Sequence, residues 1–196
     1  RKDLPANRLN ELVAWMKANP GAAKFVDQNA AARISGLLLQ QLTGTQVTFI
    51  PYRGAGPAMT DLISQQVDLL VVQGAVALPQ VRAGKMRPIA LYAAERSALV
   101  PDVPTVAEFP QLGLEKFDVR GWHGILGPAH MPPAIVQTIY AHVRRIVSDP
   151  EMQSQWDKMG LTPMIETYDP PAFARFLDDD IAFFEKVGRA VAIEKK

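Results

Sequence analysis

Apolar positions recur at helical spacing from the start of the chain. Over residues 7–18, Leu9, Leu12, Val13 and Met16 share one face, and Asn19-Pro20-Gly21 ends the helix. A second amphipathic helix is predicted over 30–42, with Ile34, Leu37, Leu38 and Leu42 on one side and Gly44 just past its end. The period then changes. Short apolar runs at 47–50, 67–72 and 87–93 alternate with helical patterns at 57–65 and 75–82. Strands separated by helical crossovers form a parallel sheet, and strands that are apolar on both sides suit a sheet covered on both faces. The spacing therefore predicts an αβαβαβ core.

Between residues 95 and 118 the alternation breaks into a proline-rich loop containing Pro101, Pro104 and Pro110, with room for one short helix at 105–109. A strand is expected at 117–126. Met131-Pro132-Pro133 then opens a long helix in which Ile135, Ile139, His142, Val143 and Ile146 share a face. Pro150 starts another helix that Gly160 ends, 162–166 reads as a further strand, and Asp169-Pro170-Pro171 caps a last helix to about residue 192.

Composition removes several classes of function. With 21 Lys plus Arg against 20 Asp plus Glu the net charge is +1, so nothing electrostatic points to nucleic acid or an anionic membrane surface. The 196 residues contain no cysteine, which excludes disulfides, thiolate metal sites and cysteine nucleophiles. Apolar runs such as Leu69-Leu70-Val71-Val72 are too short to cross a bilayer, and residues 1–10 offer charge but no apolar signal core.

Catalytic and metal chemistry find no support either. His123, His130 and His142 are the only histidines and have no partner at ligand spacing. His142 reads as a packing residue on an apolar helix face. No Gly-x-Ser-x-Gly elbow occurs, and the consecutive carboxylates Asp178-Asp179-Asp180 point in different directions on a helix. No catalytic residue, metal site or cofactor is expected.

What the sequence does offer is a pair of helix starts. The run 47–50 leads into Pro51-Tyr52-Arg53-Gly54-Ala55-Gly56-Pro57, and the run 67–72 leads into Gln73-Gly74-Ala75. In a parallel sheet both turns lie at the carboxyl edge, where open α/β sheets bind ligands. Gly54, Gly56 and Gly74 let a ligand approach the backbone, and the free N–H groups of a first helical turn attract an anion. Pro57 has no N–H, so the expected donors lie around Gly56, Ala58 and Met59.

Four motifs in order, Ile50-Pro51-Tyr52-Arg53-Gly54, Ala83-Gly84-Lys85-Met86-Arg87-Pro88-Ile89-Ala90, Val103-Pro104-Thr105-Val106-Ala107-Glu108 and Trp122-His123-Gly124, resemble the solute-binding proteins of tripartite tricarboxylate transporters, the Bug or TctC-like family. The likeness runs over essentially the whole chain. It implies an α/β, type II periplasmic-binding-protein-like fold of two α/β domains with mainly parallel sheets and a cleft between them. On that pattern residues 1–120 are the second, ligand-binding domain, and 121–196 are the C-terminal part of a first domain that is incomplete. The missing part amounts to roughly a hundred upstream residues, about one small domain, with a signal peptide before them. The implied function is periplasmic capture of a small carboxylate, a dicarboxylate or an aromatic acid, by a monomer that catalyses nothing and serves the membrane subunits of a tripartite tricarboxylate-type transporter.

The resemblance also assigns places. Asn29 and Ala30 fall in the loop before the second helix, where this chain reads Lys24-Phe25-Val26-Asp27-Gln28-Asn29-Ala30-Ala31, about two residues shorter than the family pattern and without its glycine. Tyr52, Arg53, Gly54, Gly56 and Ala58 form a second wall, and Gln73, Gly74 and Ala75 a third. The Arg53 guanidinium could clamp a distal carboxylate, but the lysine that the family frequently has there favours a plain surface role. Gln73 stands where the family often has an acid, which argues against ligands with an ammonium group. His130 replaces a loop glycine of the pattern. Three other readings compete: a degenerate relative that binds nothing, an enzyme on the same scaffold, which would need a polar dyad in the cleft, and the effector-binding domain of an intracellular regulator, which would need a DNA-binding helix-turn-helix that no basic helix here supplies.

Overall fold

The apolar pattern places no strand before residue 47, yet Ala23–Asp27 forms a strand, β1, at the centre of the sheet. Five residues are too few to show a period, and the polar Asp27-Gln28-Asn29 that follows reads as loop. The computed structural model describes residues 1–93, 95–114, 121–165, 167 and 169–190, and divides the chain into two units, Arg1–Gly121 and Trp122–Lys196. In the first, β1 pairs in parallel with β2, Val47–Pro51, in a register that sets Phe25 beside Phe49 and Asp27 beside Pro51.

On the other side of β1 the expected strand at 67–72 is reduced to a single parallel bridge between Phe25 and Leu69. The Val26 N–H donates to the Leu69 carbonyl at 2.9 Å, but the Lys24 carbonyl accepts from both Asp68 and Leu69, at 3.0 and 3.1 Å. Side chains supply the rest of the pairing: the Asp68 carboxylate accepts the Lys24 N–H at 2.7 Å, and the Gln28 amide donates to the Val71 carbonyl at 2.9 Å. Asp68 is only 5% exposed, and the Arg1 guanidinium stands 3.1 Å from its second oxygen, so the buried charge is compensated.

Helix α1, Leu9–Ala18, buries Leu9, Leu12, Val13 and Met16 as its spacing predicts. Helix α2, Ala30–Thr43, ends at Gly44 with φ +65° and covers the Phe25 and Phe49 face of the sheet. Its buried face is turned from the expected one. Ala32, Ile34, Ser35, Gly36, Leu39 and Thr43 are inside, while Leu42 is 41% exposed. Small residues at 35 and 36 explain the turn, because they bring the helix close: a Cβ on Gly36 would lie 2.6 Å from Phe49 Cε1. Helix α3, Ala55–Ile63, covers the opposite face, where Ala58, Met59 and Leu62 pack with Val26 and Val67. Helix α4, Gly74–Arg82, buries Leu78.

The expected strand at 87–93 is likewise a single bridge, from Leu91 to Thr105. Arg87 donates to the carbonyls of Leu4 and Ala6, at 3.3 and 2.9 Å, which ties this segment to the start of the chain. Leu91 exchanges 2.9 Å hydrogen bonds with the Pro104 carbonyl and the Val106 N–H, so the Val103 to Glu108 motif serves as sheet edge. A 3-10 turn at Val106–Glu108 follows, held by a reciprocal Thr105 and Glu108 capping box. Arg96 grips Glu108 through two nitrogens, Nε at 2.7 Å, and donates a third bond to the Pro101 carbonyl at 3.0 Å.

The Arg96 fork, helped by the Thr105 N–H, holds the Glu108 carboxyl down at about 2 against an ordinary 4.5. A depressed carboxylate contributes stability that is present above its ordinary pKa and is lost as pH falls through the folded value. The protection of amides across 97–109, taken relative to their intrinsic exchange rates, is therefore expected to fall between pH 4.5 and about 2. In a Glu108→Gln variant that protection should already be low near neutrality, with little further loss on acidification.

The second unit is helical: α5, Pro133–Val147, packs against α6, Pro150–Met159, and α7, Pro170–Ala190. Asp149 caps α6 by accepting from Glu151 and Met152, and Gly160 ends it with φ +72°. Trp122 meets Phe173 and Phe176 edge-on, each with ring centroids 5.5 Å apart, and its indole N–H donates to Asp180 at 3.0 Å. Of the strand expected at 117–126, residues 117–120 lie outside the described residues and 121–126 form none. Residues 162–165 are also not a strand, and 166 lies outside the described residues. The shared face of α5 is open, with Ile135 49% and Ile146 52% exposed. His142 is exposed rather than packed, because the helix buries none of its residues. His130 has φ +65°, the left-handed conformation that explains a glycine in the family pattern at that place.

Candidate functional site

Three segments of the first unit run in parallel, in the order β2, β1 and the Leu69 segment, so their carboxyl ends share one edge. Each is followed within a few residues by a helix, at Ala30, Ala55 and Gly74. The edge of the sheet therefore carries the starts of α2, α3 and α4, each with unbonded N–H groups and the positive end of a helix dipole.

The turn before α2 is shorter than the sequence suggests. Lys24 to Asp27 belong to β1, which leaves Gln28 and Asn29 as the whole connection. Asn29 is the N-cap and its side chain accepts the Ala32 N–H at 2.8 Å, so the free donors of the first turn are those of Ala30 and Ala31, both exposed. Gln28 straps this turn to the next segment through Val71. Its Oε1 is buried with no hydrogen-bond partner among the described residues.

At the second turn, α3 begins at Ala55 rather than Pro57, which moves the free donors to Ala55 and Gly56. Ala58 is fully buried among Val26, Leu62 and Val67, so its side chain belongs to the core, and its N–H falls within the i to i−4 ladder. Gly54 has φ +107° and ψ 178°, and Gly56 is exposed, with nothing within 4 Å of a Cβ at either position. Tyr52 holds the turn at both ends: its N–H donates to the Asp27 carbonyl at 2.9 Å and its hydroxyl to Asp61 on α3 at 2.6 Å. Arg53 is exposed and forms no ion pair among the described residues.

That hydroxyl bond, followed by burial, pushes the Tyr52 pKa up from 10 to about 12. A raised value means stability that is intact below the ordinary pKa and lost as pH rises through about 12. Burial also raises Tyr92, so spectroscopic titration should find two late tyrosines and Tyr52→Phe should remove one of them. The same variant is expected to lower unfolding free energy by about 1 kcal/mol or less, since solvent screens the pair.

At the third turn, Gln73 is the N-cap of α4 and its carbonyl accepts from both Val76 and Ala77, at 3.0 and 3.1 Å. Its side chain does not cap the helix and lies against Gly121. Gly74 is exposed, with open space where a Cβ would stand, and Ala75 is half-buried. The edge thus gathers Asn29, Ala30, Tyr52, Arg53, Gly54, Gly56, Gln73, Gly74 and Ala75 on three adjoining turns.

Asp27, Gln28, Arg33 and Asp61 join the edge without any sequence signal. Arg33 Nη1 stands 2.7 Å from Asp27 Oδ2, and its guanidinium carbon is 4.6 Å from the Phe49 ring centroid. A spacing of six or nine residues matches no motif, so only the folded turns reveal these pairs. In the second unit, a trough of about 500 Å³ runs past Gln137, Tyr140, Arg144 and Ser148. All of its lining residues come from α5 and the residue after it, so it lacks groups converging from several elements. Among the described residues no cluster of histidines and acids is able to hold a metal. No described helix is long and apolar enough to cross a membrane.

The sequence profile of the Tripartite tricarboxylate transporter family receptor, TctC, matches residues 1–192. A protein from the TAR-I ttuE-ttuC' intergenic region of Agrobacterium vitis is 33% identical over 174 residues, which is 88% of this chain and 49% of that protein. Among solved structures, the periplasmic binding protein BugD aligns with TM-score 0.92 and 27% identity over 100% of this chain and 65% of its own. MatC from Rhodopseudomonas palustris, with bound malate, aligns with TM-score 0.86 and 30% identity over 95% of this chain and 64% of its own. The chain spans about half the length of the curated relatives it matches. Its parallel α/β architecture is that of these periplasmic binding proteins, as the resemblance implies, and their family is one of solute receptors rather than enzymes. With the profile matched over nearly its whole length, the chain belongs to the tripartite tricarboxylate transporter receptor family, TctC.

Proposed function

We propose that this receptor captures a small dicarboxylate outside the cytoplasmic membrane, holds it at the carboxyl edge of the first unit, and delivers it unchanged to tripartite tricarboxylate-type transporter subunits. The observation that carries the reading is the set of helix starts on one parallel edge, with Arg53 exposed beside them and in no ion pair among the described residues. Backbone N–H groups of Ala30, Ala55, Gly56 and Gly74 take one carboxylate. Arg53 takes the other, through the planar fork that a guanidinium presents.

Magnitudes favour two carboxylates over one. A partly buried anion at a helix start gains up to about 2 kcal/mol, while micromolar affinity needs about 8 kcal/mol. A charged hydrogen bond adds about 1.5 to 3 kcal/mol, so a second carboxylate on Arg53 closes much of the difference. The malate bound to MatC, at 30% identity, is a ligand of this class. Residues 1–120 supply this site, 121–196 belong to a further domain, and the receptor acts as a monomer.

Calorimetric titration of the protein expressed from its complete gene tests the reading. Malate or succinate is expected to bind at micromolar concentration or tighter, and acetate much more weakly. Absence of binding and of any thermal shift with a panel of dicarboxylates and aromatic acids would overturn it.

A further inference from the structure

Asp27 stands where it should oppose an anionic ligand. It is the last residue of β1, its carbonyl accepts the Tyr52 N–H at 2.9 Å, and Asn29, two residues on, caps α2. A bare carboxylate at that point would cancel part of the positive potential of the helix starts. It would also offer a partner to any ligand carrying an ammonium group.

Arg33 answers that charge. Its Nη1 is 2.7 Å from Asp27 Oδ2, with the Asp27 side chain 20% exposed and that of Arg33 44%. The guanidinium also lies 4.6 Å from the Phe49 ring centroid, and Phe49 is itself held edge-on against Phe25, 5.5 Å away. A cation held by a carboxylate and by an aromatic face has little freedom to swing out to a ligand, so its charge stays on Asp27. The other acid near these turns, Asp61, is engaged by the Tyr52 hydroxyl.

We propose that the Arg33 and Asp27 pair is a specificity element that sets this receptor against amino acids and in favour of plain dicarboxylates. Arg33 masks the carboxylate that an ammonium group would otherwise pair with, and leaves Arg53 and the helix starts to dominate the edge. The inference rests on the dicarboxylate reading above. It makes Arg33 a determinant acting through Asp27 rather than a ligand contact of its own.

Succinate and L-aspartate share a skeleton and differ by one ammonium group, so their affinity ratio reads the masking directly. Titrated into the protein expressed from its complete gene, the wild type should favour succinate by about tenfold or more, the effect of one charge within a Debye length. Arg33→Gln should weaken succinate by roughly five- to tenfold while holding or strengthening aspartate, so that the preference collapses. Adding Asp27→Asn to that variant should restore it, because the unmasked charge is gone. Arg33→Lys, which keeps the charge, should retain most of the preference, and Asp27→Asn alone should keep it in full. Equal weakening of both ligands by Arg33→Gln, with no rescue by Asp27→Asn, would show that the pair only supports the fold and would overturn the inference. So would a wild type with equal affinities. A wild type that binds neither acid, nor any other dicarboxylate, overturns the carboxylate reading and this inference with it.

Discussion

Phe25→Ala is expected to lower the unfolding free energy by about 3 to 5 kcal/mol, the range for a buried aromatic truncated in a packed core. Phe25 is 1% exposed at the middle of β1, bridges to Leu69 on one side and meets Phe49 edge-on at 5.5 Å on the other. Its removal leaves a cavity beneath α2 that the rigid sheet cannot close. Filling the same place is costly for the opposite reason. A Cβ at Gly36 would lie 2.6 Å from Phe49 Cε1 and 3.0 Å from Phe25 Cε1. Alanine gains about 1 kcal/mol in helix propensity, but overpacking against two rings costs about 1 to 3 kcal/mol, so Gly36→Ala should be net destabilising. Denaturant unfolding followed by far-ultraviolet circular dichroism measures both. A Phe25→Ala loss below about 1 kcal/mol would mean that α2 does not seal this face.

The helices were largely legible because their evidence is repeated: α1 buries the four residues its spacing names, and Pro150 and Gly160 bound α6 as turn chemistry demands. The sheet was less so. Ala23–Asp27 shows no period because it is short and runs into polar residues, and those polar residues are the ones that finish the sheet. Gln28 bonds Val71 and the Asp68 carboxylate bonds Lys24, so a ladder expected from backbone is made in part by side chains, and 67–72 keeps one bridge. The buried face of α2 departs from its apolar pattern for a related reason. Apolarity favours Leu42, whereas close packing favours Ser35 and Gly36.

The site shows the same division. Glycines after apolar runs mark Gly54 and Gly74 as candidate places for a ligand to approach the backbone, which needs only local chemistry. Charge neutralisation is not local. Gln73 in place of an acid suggests an edge without negative charge, but Asp27 is there, and only the position of Arg33 shows that it is answered. A preference that rests, as proposed, on a pair leaves no single residue in the sequence to mark it.

Gly54→Ala separates the two demands that meet at the second turn. At φ +107° and ψ 178°, Gly54 occupies a region essentially closed to residues with a Cβ, although nothing lies within 4 Å of where that atom would be. Alanine meets no neighbour there, so its cost of about 1 to 3 kcal/mol is backbone strain alone. The chain relieves that strain by re-aiming the turn, which moves the N–H groups of Ala55 and Gly56 and the adjoining Arg53 together. Dicarboxylate affinity should fall by tenfold or more, in keeping with the loss of about 1.4 kcal/mol or more from displaced donors. Gly56→Ala supplies the contrast. Gly56 does not have a positive φ and sits in the first turn of α3, so alanine is expected to hold or raise stability, by up to about 1 kcal/mol. Its methyl would nevertheless occupy the open space through which a ligand approaches. Stability kept with affinity lost at Gly56, against both lost at Gly54, would place the ligand over this turn. Unchanged affinity in both variants would remove the second turn from the site and leave the starts of α2 and α4 to account for binding.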